Sequence, residues 1–124
     1  MTVSDLLAYI EEVEDHTFSD EVMCRWAAEC EAGVWCGVML QRPEDFAGYH
    51  WPEDAGRTLL LPPPYSGLYE AYLLAKIALC HHESAQYENA MALYNRLYSQ
   101  TVIWYAATYD PAHGGRMPLP EENA

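Results

Sequence analysis

Residues 68–80 read LYEAYLLAKIALC. Wound as a helix of about 3.6 residues per turn, this run carries Leu68, Tyr69, Tyr72, Leu73, Leu74, Ile77, Leu79 and Cys80 on nearly every side. Only Glu70 and Lys76 interrupt them. A helix that is apolar all round is covered on more than one face, and this one is too short and too rich in tyrosine to span a bilayer. The expectation is an all-α fold, a small bundle of about four helices with residues 68–80 as its central strut.

Upstream, Thr2 or Ser4 can cap a first helix, with Asp5 in the opening turn where the helix dipole favours a negative charge. Leu6, Leu7, Ile10 and Val13 recur at helical spacing opposite Glu11, Glu12 and Glu14. A second start follows at Phe18-Ser19-Asp20-Glu21, with Ser19 as cap and Phe18 placed to staple onto Met23 or a residue near it. Val22, Trp26, Cys30, Val34 and Val38 step by four, which carries the second helix to about Gln41, just before Arg42-Pro43. Gly33 and Gly37 lie on that helix one turn apart. Each costs about 1 kcal/mol relative to alanine, so close approach of another backbone is one reason to keep them.

The pattern breaks from Arg42 to Gly67. This proline-rich loop, with Pro43, Pro52 and Pro62 to Pro64, is long for a compact domain. Pro43-Glu44-Asp45 and Pro52-Glu53-Asp54 each resemble a proline-led helical turn. Thr58-Leu59-Leu60-Leu61, ahead of three prolines, has to be extended. Its leucines need something to lie on, either a neighbouring molecule or the chain's own helices.

After the strut ends near His81-His82-Glu83, Ser84 can cap a fourth helix running to about Tyr109, about 39 Å at the usual rise. Tyr87, Met91, Tyr94, Tyr98, Val102, Tyr105 and Tyr109 form one stripe on it, and Ala90, Leu93, Leu97 and Trp104 a second. Together they exceed the ~100° that packing on one core requires. The spare width is a candidate surface for another subunit. Asn89, Asn95, Arg96 and Ser99 mark the solvent side. Asp110-Pro111 stops the helix, so residues 1–110 read as one helical domain and 111–124 as a flexible, acidic-ended tail.

The 124-residue chain has a formal net charge of -13 and only six Lys and Arg, spread singly. That leaves no basic stripe for phosphate and sets the chain against nucleic acid and anionic membranes as partners. MTVSDLLAYIEEVED has no basic region followed by an apolar run, so no secretion signal is read and the four cysteines are expected as free thiols. Cys24, Cys30 and Cys36 are six residues apart, a rotation of about 600° per step, so their thiols cannot converge on a metal. Cys80-His81-His82-Glu83 holds four ligand types at a helix end, but adjacent residues do not share a face and no second cluster has zinc-site spacing. His16, His50 and His113 are isolated, and neither a nucleophile motif nor a glycine-rich phosphate loop is present. No enzyme, metal or cofactor is expected. Ten tyrosines and four tryptophans instead suit cores and protein interfaces.

Two blocks carry a resemblance. The first is MTVSDLLAYIEEVED with FSDEVMCRWAAECEAGV. The second is LLLPPPYSGLYEAYLLAKIALCHHESAQYENAMALYNRLYSQTVIWYAATYDP, with its proline turn, tyrosine-rich helix and YENAMALYN start of the last helix. Together they cover most of the chain and resemble small proteins from the structural modules of long-tailed phages and prophages of gut Firmicutes. Those proteins look like head-tail connectors, also called adaptors, helical subunits that assemble as a ring between portal and tail. Relatives often turn between the last two helices with Asn-Gly, where this chain has His81-His82-Glu83. The resemblance implies a virion structural protein, assembled in the bacterial host cytoplasm. It would meet copies of itself, the portal protein and tail or stopper proteins. It also implies that Leu59, Leu60, Leu61 and Tyr65 of the arm, and Tyr94, Tyr98, Trp104 and Tyr105 of the last helix, face neighbouring subunits, around an acidic lumen that lets DNA slide.

Two other classes compete with this reading. Tyr87-x-x-Ala90-x-x-x-Tyr94 is reminiscent of the second helix of a tetratricopeptide repeat, which would make the chain a helical-hairpin interaction module, although about three copies are needed for stability. A small regulatory or enzymatic protein built on the Cys80 to Glu83 cluster would require bound zinc.

Overall fold

The computed structural model describes residues 1–108, so the expected tail 111–124, the stop at Asp110-Pro111 and Tyr109 lie outside the described residues. It is an all-α bundle: α1 (Val3–Val13), α2 (Asp20–Gly33), α3 (Gly67–Cys80) and α4 (Ser84–Thr108). The described residues include no strand, only an isolated antiparallel bridge between Thr2 and Thr58.

Each start has a local cause. Thr2 and Asp5 form a reciprocal box in which each backbone N–H donates to the other's side chain at 3.1 Å. Those bonds hold the Asp5 carboxyl below its usual range. The next free N–H groups of α1 are met by the loop, Val3 donating to Arg57 O at 3.0 Å and Ser4 to Ala55 O at 2.8 Å. Ser19 caps α2 by accepting from Val22 N at 3.2 Å. Phe18 packs edge-on against the Trp26 ring at 5.1 Å, one turn beyond the Met23 position expected for a staple.

α2 does not continue as a regular helix to Gln41. It widens at Val34–Val38 into a π-turn, closed by Met39 N donating to Val34 O at 2.9 Å, and Leu40 ends it at φ 55°. Two β-branched valines and a glycine are poor helix formers, and a side chain of α4 enters just there. The Tyr98 hydroxyl lies where a Cβ on Gly37 would stand. The close approach at Gly37 is therefore made by a side chain rather than a backbone, and Gly33 has open space around it. Gly37→Ala is expected to destabilise the fold by about 1–2 kcal/mol in urea denaturation, the collision outweighing the usual helical gain of alanine. Adding Tyr98→Phe should recover most of that loss, because the next ring atom, Cζ, is 3.6 Å from the Cβ position.

The loop between the π-turn and α3 is folded. Pro43–Asp45 is a 3-10 turn, and His50 to Arg57 closes in successive turns, with His50 N donating to Asp54 Oδ2 at 2.7 Å. The Trp51–Pro52 and Pro63–Pro64 peptides are cis. Leu59, Leu60 and Leu61 then pass into the interior, where Leu61 is 1% exposed. α3 packs against all three other helices, as a helix apolar on every side must. Leu68, Tyr69, Leu73 and Ile77 are fully covered, while Leu79 and Cys80 at its end are exposed. α4 lies along α3 but fully buries only Thr101 and Tyr105 over its 25 residues.

Candidate functional site

The eight residues expected at subunit contacts separate into two groups. Leu59, Leu60, Leu61 and Tyr105 are corrected to core positions: all four are buried within the chain itself and offer no surface to a neighbour. The arm's leucines found their cover intramolecularly, the second of the two options open for an extended apolar run. Tyr65, Tyr94, Tyr98 and Trp104 are half-buried and packed on the core cluster. Tyr65 stacks on Trp104 with centroids 4.7 Å apart, tying the arm to α4. Tyr94 stands between Tyr72, at 5.6 Å, and Tyr98, at 5.9 Å.

What α4 does expose is different. Val102 is 38% and Ile103 69% exposed near its end, and Leu93 36% exposed near its start. Asn89, Asn95, Arg96 and Ser99 lie outside, as their spacing indicated.

Beneath the loop sits a polar group that pattern reading passed over. Glu31, on the buried face of α2, is 2% exposed. Its Oε1 accepts from Tyr69 Oη at 2.6 Å and from Leu60 N at 2.8 Å, and its Oε2 accepts from Tyr49 Oη. Tyr69 Oη in turn accepts from Leu61 N at 3.2 Å. One carboxylate thus joins α2, α3, the arm and the middle of the loop, and the Arg57 guanidinium covers the Tyr49 ring at 5.3 Å. Glu31 is four residues after Ala27 and three before Val34, both buried, so its place on the apolar stripe was the available signal.

Burial, with the neighbouring Glu31 charge, pushes the Tyr69 hydroxyl well above the usual phenol range. Burial first, and Glu29 second, raises Tyr72, while burial brings Tyr94 up to about 12. An unfolded tyrosine ionises near pH ~10, so the folded chain holds these protons where the unfolded chain gives them up. The contribution of these tyrosines to stability is expected to be level below pH ~10 and to fall as pH rises from there towards 12. Phenolate absorbance during an alkaline titration checks this: the slow fraction should ionise together with loss of helical signal.

The cysteines are free, with Cys24 and Cys30 buried, Cys36 half-buried and Cys80 exposed. Burial, and then the Glu31 charge, raises the Cys30 thiol far out of the reactive range. His81 Nδ1 lies 3.3 Å from Glu83 Oε1, but among the described residues no group of three or more His, Cys, Asp or Glu is arranged to hold a metal ion. Among the described residues no helix is long and apolar enough to cross a membrane. The chain matches no protein-family model, no curated protein and no solved structure.

Proposed function

We propose that this chain is a non-enzymatic assembly subunit, a head-tail connector of a long-tailed phage or prophage that joins with copies of itself into a ring between portal and tail. Its place would be the virion, after assembly in the host cytoplasm, with the portal protein and tail or stopper proteins as partners. The resemblance of the two sequence blocks suggests the role, and the observation that carries it is the outer surface of α4. This helix has 25 residues, buries only two of them, and leaves Ile103 69% and Val102 38% exposed beside one another in sequence. A lone exposed leucine is ordinary, but a long helix half-docked on its own core with aliphatic side chains turned outward suits a second helix laid against it. The net charge of -13 supports the same role, because an acidic ring passes duplex DNA without holding it.

Light scattering on wild type and Ile103→Asp tests the reading. The wild-type mass should rise with concentration towards a closed ring, and the variant should remain monomeric with unchanged helical signal and stability altered by under ~0.5 kcal/mol, as for a surface position. A wild-type chain that stays monomeric at every concentration and also fails to sediment with portal rings would sink the proposal. So would tight binding to duplex DNA at physiological salt.

A further inference from the structure

The corner between α3 and α4 holds two adjoining hollows of about 260 and 290 Å³ that share Ala78 and Glu83. Their linings mix aliphatic and polar side chains: Leu79 in one hollow and Leu93 in the other stand at the surface, 52% and 36% exposed, and buried Ala78 belongs to both. Their rim is acidic. Glu14 from the end of α1, Glu83 from the turn and Glu88 from α4 line the two hollows, with His82 the one basic side chain and no Lys or Arg. The corner is also held in place before anything binds. Phe18 stacks on the His81 ring at 5.6 Å and on His16 at 5.9 Å, and its edge contact with Trp26 ties the turn to α2. A groove fixed in this way loses little entropy on being filled.

We infer that this corner is a docking groove for a segment of a partner protein that carries aliphatic anchors flanked by Lys or Arg. Two adjoining hollows, one beside Leu79 and one beside Leu93, suit two aliphatic anchors on one segment. Three carboxylates on the rim favour basic flanks and oppose acidic ones. A second copy seated corner to corner is a poor occupant, because its Glu14, Glu83 and Glu88 would face the same three carboxylates here. The groove is separate from the proposed ring contact: Leu93, its residue furthest along α4, and Ile103 are about 15 Å apart along the helix at the usual rise per residue. Changes at one surface therefore leave the other to be tested alone.

The probe is a labelled 14-residue helical peptide of Leu and Lys with leucines at i, i+4 and i+7, alongside the same peptide with Glu in place of Lys. Anisotropy and amide chemical-shift mapping on the full chain at 150 mM salt give the readout. The Leu/Lys peptide should bind with shifts centred on residues 74–93, and the Leu/Glu peptide should not. Leu79→Asp with Leu93→Asp should weaken binding at least tenfold, and Glu83→Gln with Glu88→Gln should weaken it and flatten its salt dependence. Ile103→Asp should bind as wild type does. Both leucines are exposed, so retained helical signal will show that the variants are folded. Three results would overturn the proposal: shifts spread over the acidic face of α1 and indifferent to the leucine changes, equal affinity for the acidic peptide, or leucine changes that alter only the solution mass. The last would make a second copy the occupant.

Discussion

Glu31→Ala is expected to cost about 4 kcal/mol, a large share of the roughly 5–15 kcal/mol that stabilises an ordinary domain. The substitution removes the acceptor for Tyr69 Oη, Leu60 N and Tyr49 Oη together, deep under the loop. A buried donor that loses its acceptor costs about 1–3 kcal/mol, far more than the net worth of the bond it made. Glu31→Gln keeps an oxygen for two of the donors and turns an amide towards the third, so its cost should be about 1–2 kcal/mol. Glu29, two positions earlier, supplies the control. It is exposed, meets Lys76 Nζ at 3.4 Å and Tyr72 Oη at 3.2 Å, and its loss should cost under ~1 kcal/mol. Urea denaturation of the three variants checks the order. If Glu31→Ala and Glu29→Ala fell equally, the buried carboxylate would not be what holds the loop down.

Leu61→Ala should cost about 3 kcal/mol and lower the melting temperature by about 10 °C, with no change in solution mass. Leu61 is 1% exposed within the single chain, and its N–H donates to Tyr69 Oη. Truncating it opens a cavity at the point where the arm passes into the core. The measurement also separates two accounts of the arm. A contact between subunits would show as a change of mass, whereas a core residue lowers the melting temperature with the mass unchanged.

The parts of the fold that could be read from the sequence are those governed by one periodicity. The strut at Leu68 to Cys80, the caps at Thr2 and Ser19 and the solvent side of α4 follow from 3.6-residue spacing and local hydrogen bonding, which need no knowledge of what lies opposite. The π-turn at Val34–Val38 could not be read in this way, because it depends on Tyr98 arriving from 61 positions along the chain to lie over Gly37. The arm divided two ways for the same reason. Leu59 to Leu61 announced that they needed cover, and whether a neighbour or the chain itself supplied it was decided by Glu31 holding Leu60 N from inside. At the candidate surface the aromatic stripe of α4 was legible as apolar but not as divided. Tyr105 went to the core, Tyr98 to the π-turn and Trp104 to the arm, and the aliphatic Val102 and Ile103 were left outside.

The stacking of Trp104 on Tyr65 also gives the chain its own set of optical reporters. The indoles occupy four neighbourhoods: Trp26 beside Phe18, Trp35 donating to Arg42 O at 2.8 Å, Trp51 within the loop, and Trp104 where α4 covers the arm. Variants that keep one tryptophan each would let fluorescence follow the release of the loop, the π-turn and the last helix separately. Four coincident melting curves would mark the loop as part of the cooperative unit, and an early curve from Trp51 would mark it as a segment that opens while the bundle persists.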